Sequence, residues 1–311
     1  MKNMKAVRIH SYGGPEVLAY EDVPQPVPGP GEVLVRVHAA GVNPVDWKIR
    51  AGYMKEFLPH TFPLTLGWDL SGVVEAAGPG SAYRGGEEVF AMSSLMRNGS
   101  YAEYIVIDEA LLAAKPKSQD HAHAAAVPLA GLTAHIGLFE FGELRPGQKV
   151  LIHGGAGGVG TLAVQLAKRK GAYVIATASG KNQNLLRELG ADEAVDYAST
   201  RFEEKAKDVD LVFDTIGGET LERSWSVLKK GGILVATSAM PSQEKAAALG
   251  VKAKYVSNRP DARILKELAE LMDAGKLHSF VEAGIPLAEV RKAHVLSQAG
   301  HVRGKIVLTV A

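Results

Sequence analysis

Three glycines, Gly155, Gly157 and Gly160, stand at the spacing G-x-G-x-x-G within VLIHGGAGGVGTLAVQLAKRKGAYVIATAS, residues 150–179. An apolar run (Val150, Leu151, Ile152) precedes them. After them Val159, Leu162, Ala163, Leu166 and Ala167 recur at the i, i+3, i+4, i+7, i+8 spacing of one helix face. A strand, tight turn, helix and second strand form the context in which such a loop cradles a dinucleotide pyrophosphate. The glycines permit the sharp turn, the approach of phosphate to backbone and the close packing of helix on sheet. The backbone of Gly155, Gly157, Gly158, Val159 and Gly160 is therefore expected to hold the pyrophosphate at a helix N-terminus.

The residues after the second strand decide which dinucleotide fits. An NAD site usually carries Asp or Glu there, bonded to the ribose 2′-hydroxyl. This chain reads Thr177-Ala178-Ser179-Gly180-Lys181-Asn182 instead. That span has no carboxylate to repel a 2′-phosphate, and Ser179 and Lys181 are suited to bind one. NADP(H) is the expected cofactor. Ser179 and Asn182 also suit the cap of the next helix, a role compatible with the first.

The whole chain must position this segment, and its 311 residues suffice for two domains and a sizeable buried core. The 35 basic and 34 acidic residues give no electrostatic case for nucleic acid or a membrane surface. No 18-residue apolar run occurs, and MKNMKAVRIH lacks the apolar core of a signal peptide. Without cysteine, disulfides and thiolate zinc sites are excluded. The expected location is the cytoplasm.

The first 125 residues read as β-rich, with short strands at 5–10, 33–39, 72–77 and 103–107 punctuated by glycine and proline. From about Ala126 strands and helices alternate. Beyond the opening β-α-β unit, strands are expected at 194–197, 209–213, 233–237 (after a Gly231-Gly232 turn) and 251–256. Helices are expected at 182–189, around 221–228 and at 262–274, with a final strand at 305–310. This is an α/β protein whose alternation predicts a doubly wound parallel sheet.

With these elements placed, the chain resembles the zinc-independent quinone oxidoreductase branch of the medium-chain dehydrogenase/reductase superfamily. The resemblance rests on GGPEVL (13–18), PGPGEVLV (28–35), GVNPVDWKIRAG (41–52), LGWDLSGVV (66–74) and GSYAEY (99–104). It continues through AAAVPLAGLTA (124–134), the glycine loop, LGADEAVDY (189–197), FDTIGG (213–218), LKKGGILV (228–235) and HVRGKIVL (301–308). It implies a GroES-like substrate domain from residues 1–125, a Rossmann domain at 126–257, and a return segment at 258–311 completing the first. It also implies a homodimer, for which the strand at 251–256 offers an edge.

The zinc alcohol dehydrogenases of this superfamily ligate their metal with cysteine, histidine and cysteine. Here Asn43 and Trp68 stand where the first two would lie, and Pro128, Leu129 and Ala130 offer no sulfur for the third. The expected metal set is none. Hydride transfer without a metal Lewis acid suits an acceptor that is already electrophilic, a quinone or an enone, needing a hydrogen-bond donor for its developing oxyanion. The expectation is an NADPH-dependent reductase of such small molecules; the alternative is a non-catalytic NADPH-binding sensor or scaffold. Asn43 is expected either to orient the nicotinamide ribose, to donate to the acceptor carbonyl, or to form an Asx turn before Pro44. Asp46 reads as a capping carboxylate. Tyr53 either donates a hydrogen bond or shapes a pocket wall. Thr133 is placed near the nicotinamide, Tyr197 near the 2′-phosphate, and Thr215, Gly217 and Ser238 at carboxyl ends of strands, where open sheets bind ligands. Arg303 and Lys305 are expected to close on the cofactor. His121 and His123 lack a third ligand, and His153 reads as a packed histidine.

Overall fold

A computed structural model describes residues 2–310. The chain forms two compact units, residues 1–129 with 259–311, and residues 130–258.

The first unit opens with β1 (Asn3–Ile9), paired antiparallel with β2 (Ala19–Pro24). Then come β3 (Glu32–Val42), α1 (Pro44–Arg50), β4 (Leu64–Thr65), β5 (Asp69–Ala77) and β6 (Glu88–Met92). β7 (Tyr104–Asp108), β8 (Ala113–Ala114) and α2 (His121–Ala125) complete this part. β3 is the spine, with Val33, Val35 and Val37 fully buried and antiparallel partners in β5 and β7. Alternation along β3 makes those valines visible in the sequence. β2 is not visible there, because AYEDVP carries two acids and buries little besides Val23.

The second unit begins within α3 (Pro128–His135) and holds a parallel sheet. Its elements are β9 (Lys149–His153), α4 (Gly158–Arg169), β10 (Tyr173–Ala178), α5 (Gln183–Glu188) and β11 (Glu193–Asp196). They continue with β12 (Val209–Asp214), α6 (Gly218–Ser224), β13 (Leu228–Ala236), α7 (Gln243–Leu249) and β14 (Lys252–Tyr255). The strand order is β11-β10-β9-β12-β13-β14, so the winding reverses between β9 and β12. That reversal is where doubly wound sheets open a ligand crevice at their carboxyl ends. Gly231 and Gly232 make no turn between helix and strand. β13 already starts at Leu228, and the glycines lie in a bulge where the β12 register jumps from Leu228 to Ile233.

The chain then returns to the first unit with α8 (Ala262–Asp273), β15 (Val281–Pro286), α9 (Val290–Ala299) and β16 (Lys305–Thr309). Asp261 caps α8 through the N–H groups of Arg263 and Ile264. β15 and α9 lie outside the sequence-based expectations: VEAGIP holds Gly284 and Pro286, and α9 mixes polar residues through its length. β16 lies between β15 and β3, so the last strand enters the sheet interior. Among the described residues no helix is long and apolar enough to cross a membrane.

Candidate functional site

β9 delivers the glycine loop. The left-handed conformation that turns the chain belongs to Gly154 (φ +71°), one residue ahead of the glycine given that duty from spacing. A side chain there would also meet the Thr215 hydroxyl at 2.6 Å. Gly155 donates to the Thr177 carbonyl and Gly157 to the Gly154 carbonyl. Gly157 is the N-cap of α4 and, lacking a side chain, leaves the first N–H groups of the helix open. Gly158, Val159 and Gly160 form that first turn. At Gly160 a Cβ would lie 2.0 Å from the Gly154 carbonyl oxygen, so only glycine brings the helix this close to the turn. Gly155 and Gly157 spend their N–H groups inside the turn, contrary to expectation, so it is the first turn of α4, Gly158, Val159 and Gly160, whose N–H groups fit a pyrophosphate.

The carboxyl ends of β10 and β11 bring the second group together. Ser179 follows β10 and Tyr197 follows β11, whose N–H donates to the Ala178 carbonyl (3.3 Å). Lys181 is exposed in the same turn and Tyr197 is 58 % exposed. Asp196, at the end of β11, is an acid that the sequence reading misses. Its carboxylate comes so near Gly180 that a Cβ there would meet it at 2.9 Å. A window drawn after β10 does not reach it, because parallel pairing delivers it from further along the chain, on the neighbouring strand. Its oxygens accept from the Ala198 N–H and the Ser199 hydroxyl.

At the ends of β9, β12 and β13 a third group gathers. Thr215 donates through Oγ1 to the His153 carbonyl (2.8 Å). Gly217 has φ +82°, and a Cβ on it would meet Ser238 Oγ at 2.5 Å. That Ser238 hydroxyl is buried and has no hydrogen-bond partner among the described residues. Asp214 holds the turn, accepting from the N–H groups of Ile216 and Gly217. Thr133 is buried and accepts from Asn258 Nδ2 at 2.8 Å. His153 is enclosed between Thr177, Ser224 and the edge of Phe202. Burial, then the Arg223 charge, pulls its pKa down to about 3, so the ring is neutral and packed.

In the first unit the residues around Asn43 form a buried polar cluster. Asn43 is the N-cap of α1, in a capping box closed by Asp46. Its Nδ2 donates to Asp69 Oδ2 (2.9 Å), and its Oδ1 accepts from Lys305 Nζ. Lys305 also donates to the Val42 carbonyl (2.8 Å) and lies 3.7 Å from Asp69 Oδ2. Asp69 Oδ1 accepts from the Leu129 N–H. Asp46 Oδ2 accepts from the Asn43 N–H and from Tyr101 Oη (2.6 Å); its Oδ1 has no partner among the described residues. Burial raises both acids, Asp46 to about 7 and Asp69 to about 6. Burial also lowers Lys305, opposed by the charges of Asp69 and Asp46.

This arrangement changes the expectation for Lys305 and bears on the alternatives for Asn43. Lys305 does not extend toward a cofactor: it is 6 % exposed and spends its donors on Val42 and Asn43 beside Asp69. Asn43 does take the turn-capping conformation before Pro44, with its side chain already engaged on two sides. Arg303 is exposed, and its N–H donates to Glu282. Tyr53 is 69 % exposed, edge-on to Trp47. His121 contacts Ser71 and stacks on His38, whereas His123 donates its N–H to the N-cap Asp120, and its ring Nδ1 lies 2.8 Å from the same oxygen. Zinc does not fit at Asn43 and Trp68: the carboxamide is committed to Lys305 and Asp69, and the Trp68 indole donates to the Arg97 carbonyl.

Residues 29–117 match the alcohol dehydrogenase GroES-like domain family, and residues 189–308 match the zinc-binding dehydrogenase family. The mouse mitochondrial NAD(P)H oxidoreductase RTN4IP1 is 35% identical, over 99% of this chain and 89% of its own length. The quinone oxidoreductase of Coxiella burnetii superposes with a TM-score of 0.92 at 34% identity, over 100% of both chains. The chain belongs to the zinc-independent quinone oxidoreductase branch of the medium-chain dehydrogenase/reductase superfamily. Another relative is the chloroplastic NADPH-dependent alkenal/one oxidoreductase of Arabidopsis thaliana, 36% identical over 99% of this chain and 80% of its own length. Membership makes this protein an oxidoreductase that works with a nicotinamide cofactor.

Proposed function

We propose that this quinone oxidoreductase relative is a cytoplasmic, NADPH-dependent reductase of quinones or α,β-unsaturated carbonyl compounds, working without a metal as a homodimer. The observation carrying the reading is the pair of features above: a helix N-terminus stripped of side chains behind β9, and a zinc position filled by a carboxamide. When bound, NADPH supplies hydride from the nicotinamide. The N–H groups of Gly158, Val159 and Gly160 hold the pyrophosphate, and Gly155 and Gly157, without side chains, let it approach. Ser179, Lys181 and Tyr197 bind the 2′-phosphate, and the pairing of Asp196 with Ala198 and Ser199 leaves Lys181 as the dominant charge for that group. Thr133, Thr215 and Ser238 orient the nicotinamide end. The unpartnered Ser238 hydroxyl supports this, since a buried hydroxyl without a partner costs about 1–3 kcal/mol.

Asn43 and Tyr53 donate to the oxygen of the acceptor as negative charge develops there. Asn43 retains one Nδ2 hydrogen after its bond to Asp69. Arg303, exposed at the entry to β16, contributes positive charge for the cofactor phosphates. The edge strand β14 is the surface we assign to the dimer. The decisive experiment measures NADPH consumption with a panel of quinones and enones. Turnover of at least one acceptor, unaffected by metal chelators, is expected. Tight NADPH binding without turnover of any acceptor would instead point to a sensor or scaffold.

A further inference from the structure

Lys305 and Asp69 stand on either side of one small side chain. β16 pairs with β3 so that Ile306 faces Val42, which sets Lys305 beside Asn43. Asp69 opens β5, and its side chain rests on Gly41, where a Cβ would lie 3.1 Å from Asp69 Oδ2 and 2.4 Å from the Ala125 carbonyl. Gly304 (φ +72°) fixes the approach of Lys305, since a Cβ there would strike the Phe280 carbonyl at 2.3 Å. The backbone thus fixes where both residues start, and the bonds to the Val42 carbonyl and the Leu129 N–H hold their charged ends. An ammonium only donates and a carboxylate only accepts. Between them a carboxamide has one favourable orientation, Oδ1 to Lys305 and Nδ2 to Asp69, as observed.

We propose that Lys305 and Asp69 are positioning residues that lock the direction of the Asn43 carboxamide, so that its remaining Nδ2 hydrogen is aimed for the acceptor. The inference rests on the role given to Asn43 above. It assigns Lys305 no contact with the cofactor: the ammonium serves as a fixed internal cation in a region where the zinc alcohol dehydrogenases use a metal. Reversing the carboxamide would present an oxygen lone pair where an oxyanion develops, which repels rather than stabilises it.

The test uses Lys305→Met with Asp69→Asn. The single Lys305→Met chain leaves a buried carboxylate without its cation and is prone to fail in folding. The double variant has no buried charge at either position. The carboxamide introduced by Asp69→Asn can donate to a reversed Asn43, while the Val42 carbonyl loses the Lys305 donor, a cost that falls on folding rather than on the direction of Asn43. Expected is a folded protein with NADPH affinity within about two-fold of wild type and kcat lower by about 100-fold, the scale of a misaimed group. The side-chain amide resonance of Asn43 should shift in NMR spectra, because its N–H no longer faces a carboxylate. Wild-type kcat in the double variant would overturn the proposal, as would a loss of NADPH affinity of about ten-fold at unchanged kcat. If wild type reduces no quinone or enone, the proposed function falls instead. The clamp then stands or falls on the Asn43 resonance, and an unchanged resonance overturns it.

Discussion

The two polar centres of this protein are built by opposite means. Around Gly154–Gly160 the chain removes side chains, so that backbone N–H groups stay open for an outside anion. Around Asn43 it imports side chains from α1, β5, β16 and the Tyr101 loop, and nearly all of their bonding capacity is used internally. The first centre is complete only with a ligand. The second largely satisfies itself, leaving one Asn43 Nδ2 hydrogen and Asp46 Oδ1 unspent, and it works by fixing direction.

The contrast can be broken from the glycine side. Gly160→Val places carbon into the Gly154 carbonyl, so NADPH binding should fall by more than about 100-fold, read by titration of cofactor fluorescence. A variant that still bound would deny that close approach creates the site. From the other side, Lys305→Met alone should cost about 3–5 kcal/mol of stability, much of it restored by adding Asp69→Asn; denaturant unfolding measures both. Equal loss in single and double variants would mean the charges do not answer one another.

Cofactor choice sharpens the comparison further. Lys181→Ala removes a charge-assisted contact worth about 1.5–3 kcal/mol, so the NADPH KM should rise about 10- to 100-fold while that for NADH hardly moves. A parallel loss for both nucleotides would dismiss Lys181 as a 2′-phosphate ligand. A pH effect comes next. His153 has its folded pKa depressed to about 3, so the stability it contributes is present above the unfolded value near 6.5 and is lost as pH falls toward 3. His153→Gln should therefore flatten the dependence of Tm on pH in that window, measured by scanning calorimetry at constant ionic strength. Smallest of all, Asp196→Asn should change the NADPH KM by less than about two-fold, since that carboxylate is already bonded to its own turn.

Much of the glycine centre is legible in the sequence, because its information is local. The loop, its flanking strand and the stripe on α4 all fall within about thirty residues, the span of a βαβ unit, and Leu162, Ala163, Leu166 and Ala167 are indeed buried. The difference there amounts to a single residue, Gly154, since neighbouring glycines look alike until dihedral angles are known. The Asn43 centre is legible only in its members. Asn43, Asp46 and Lys305 stand out in the sequence, yet their mutual contacts depend on β16 pairing with β3, with Lys305 and Asn43 262 residues apart. No periodicity encodes such a pairing. Asp69 and Tyr101 do not stand out for that reason, and Asp196 escapes because its neighbour Gly180 follows another strand.

The return of β16 has a consequence for how the protein is made. Residues 130–258 emerge from the ribosome as an uninterrupted stretch and can collapse at once. The earlier residues must wait, because β3 lacks one neighbour and Asp69 lacks its cation until the final strand has been synthesised. Translation that stalls before Lys305 would leave a nascent chain with residues 130–258 already complete and an open sheet edge on β3.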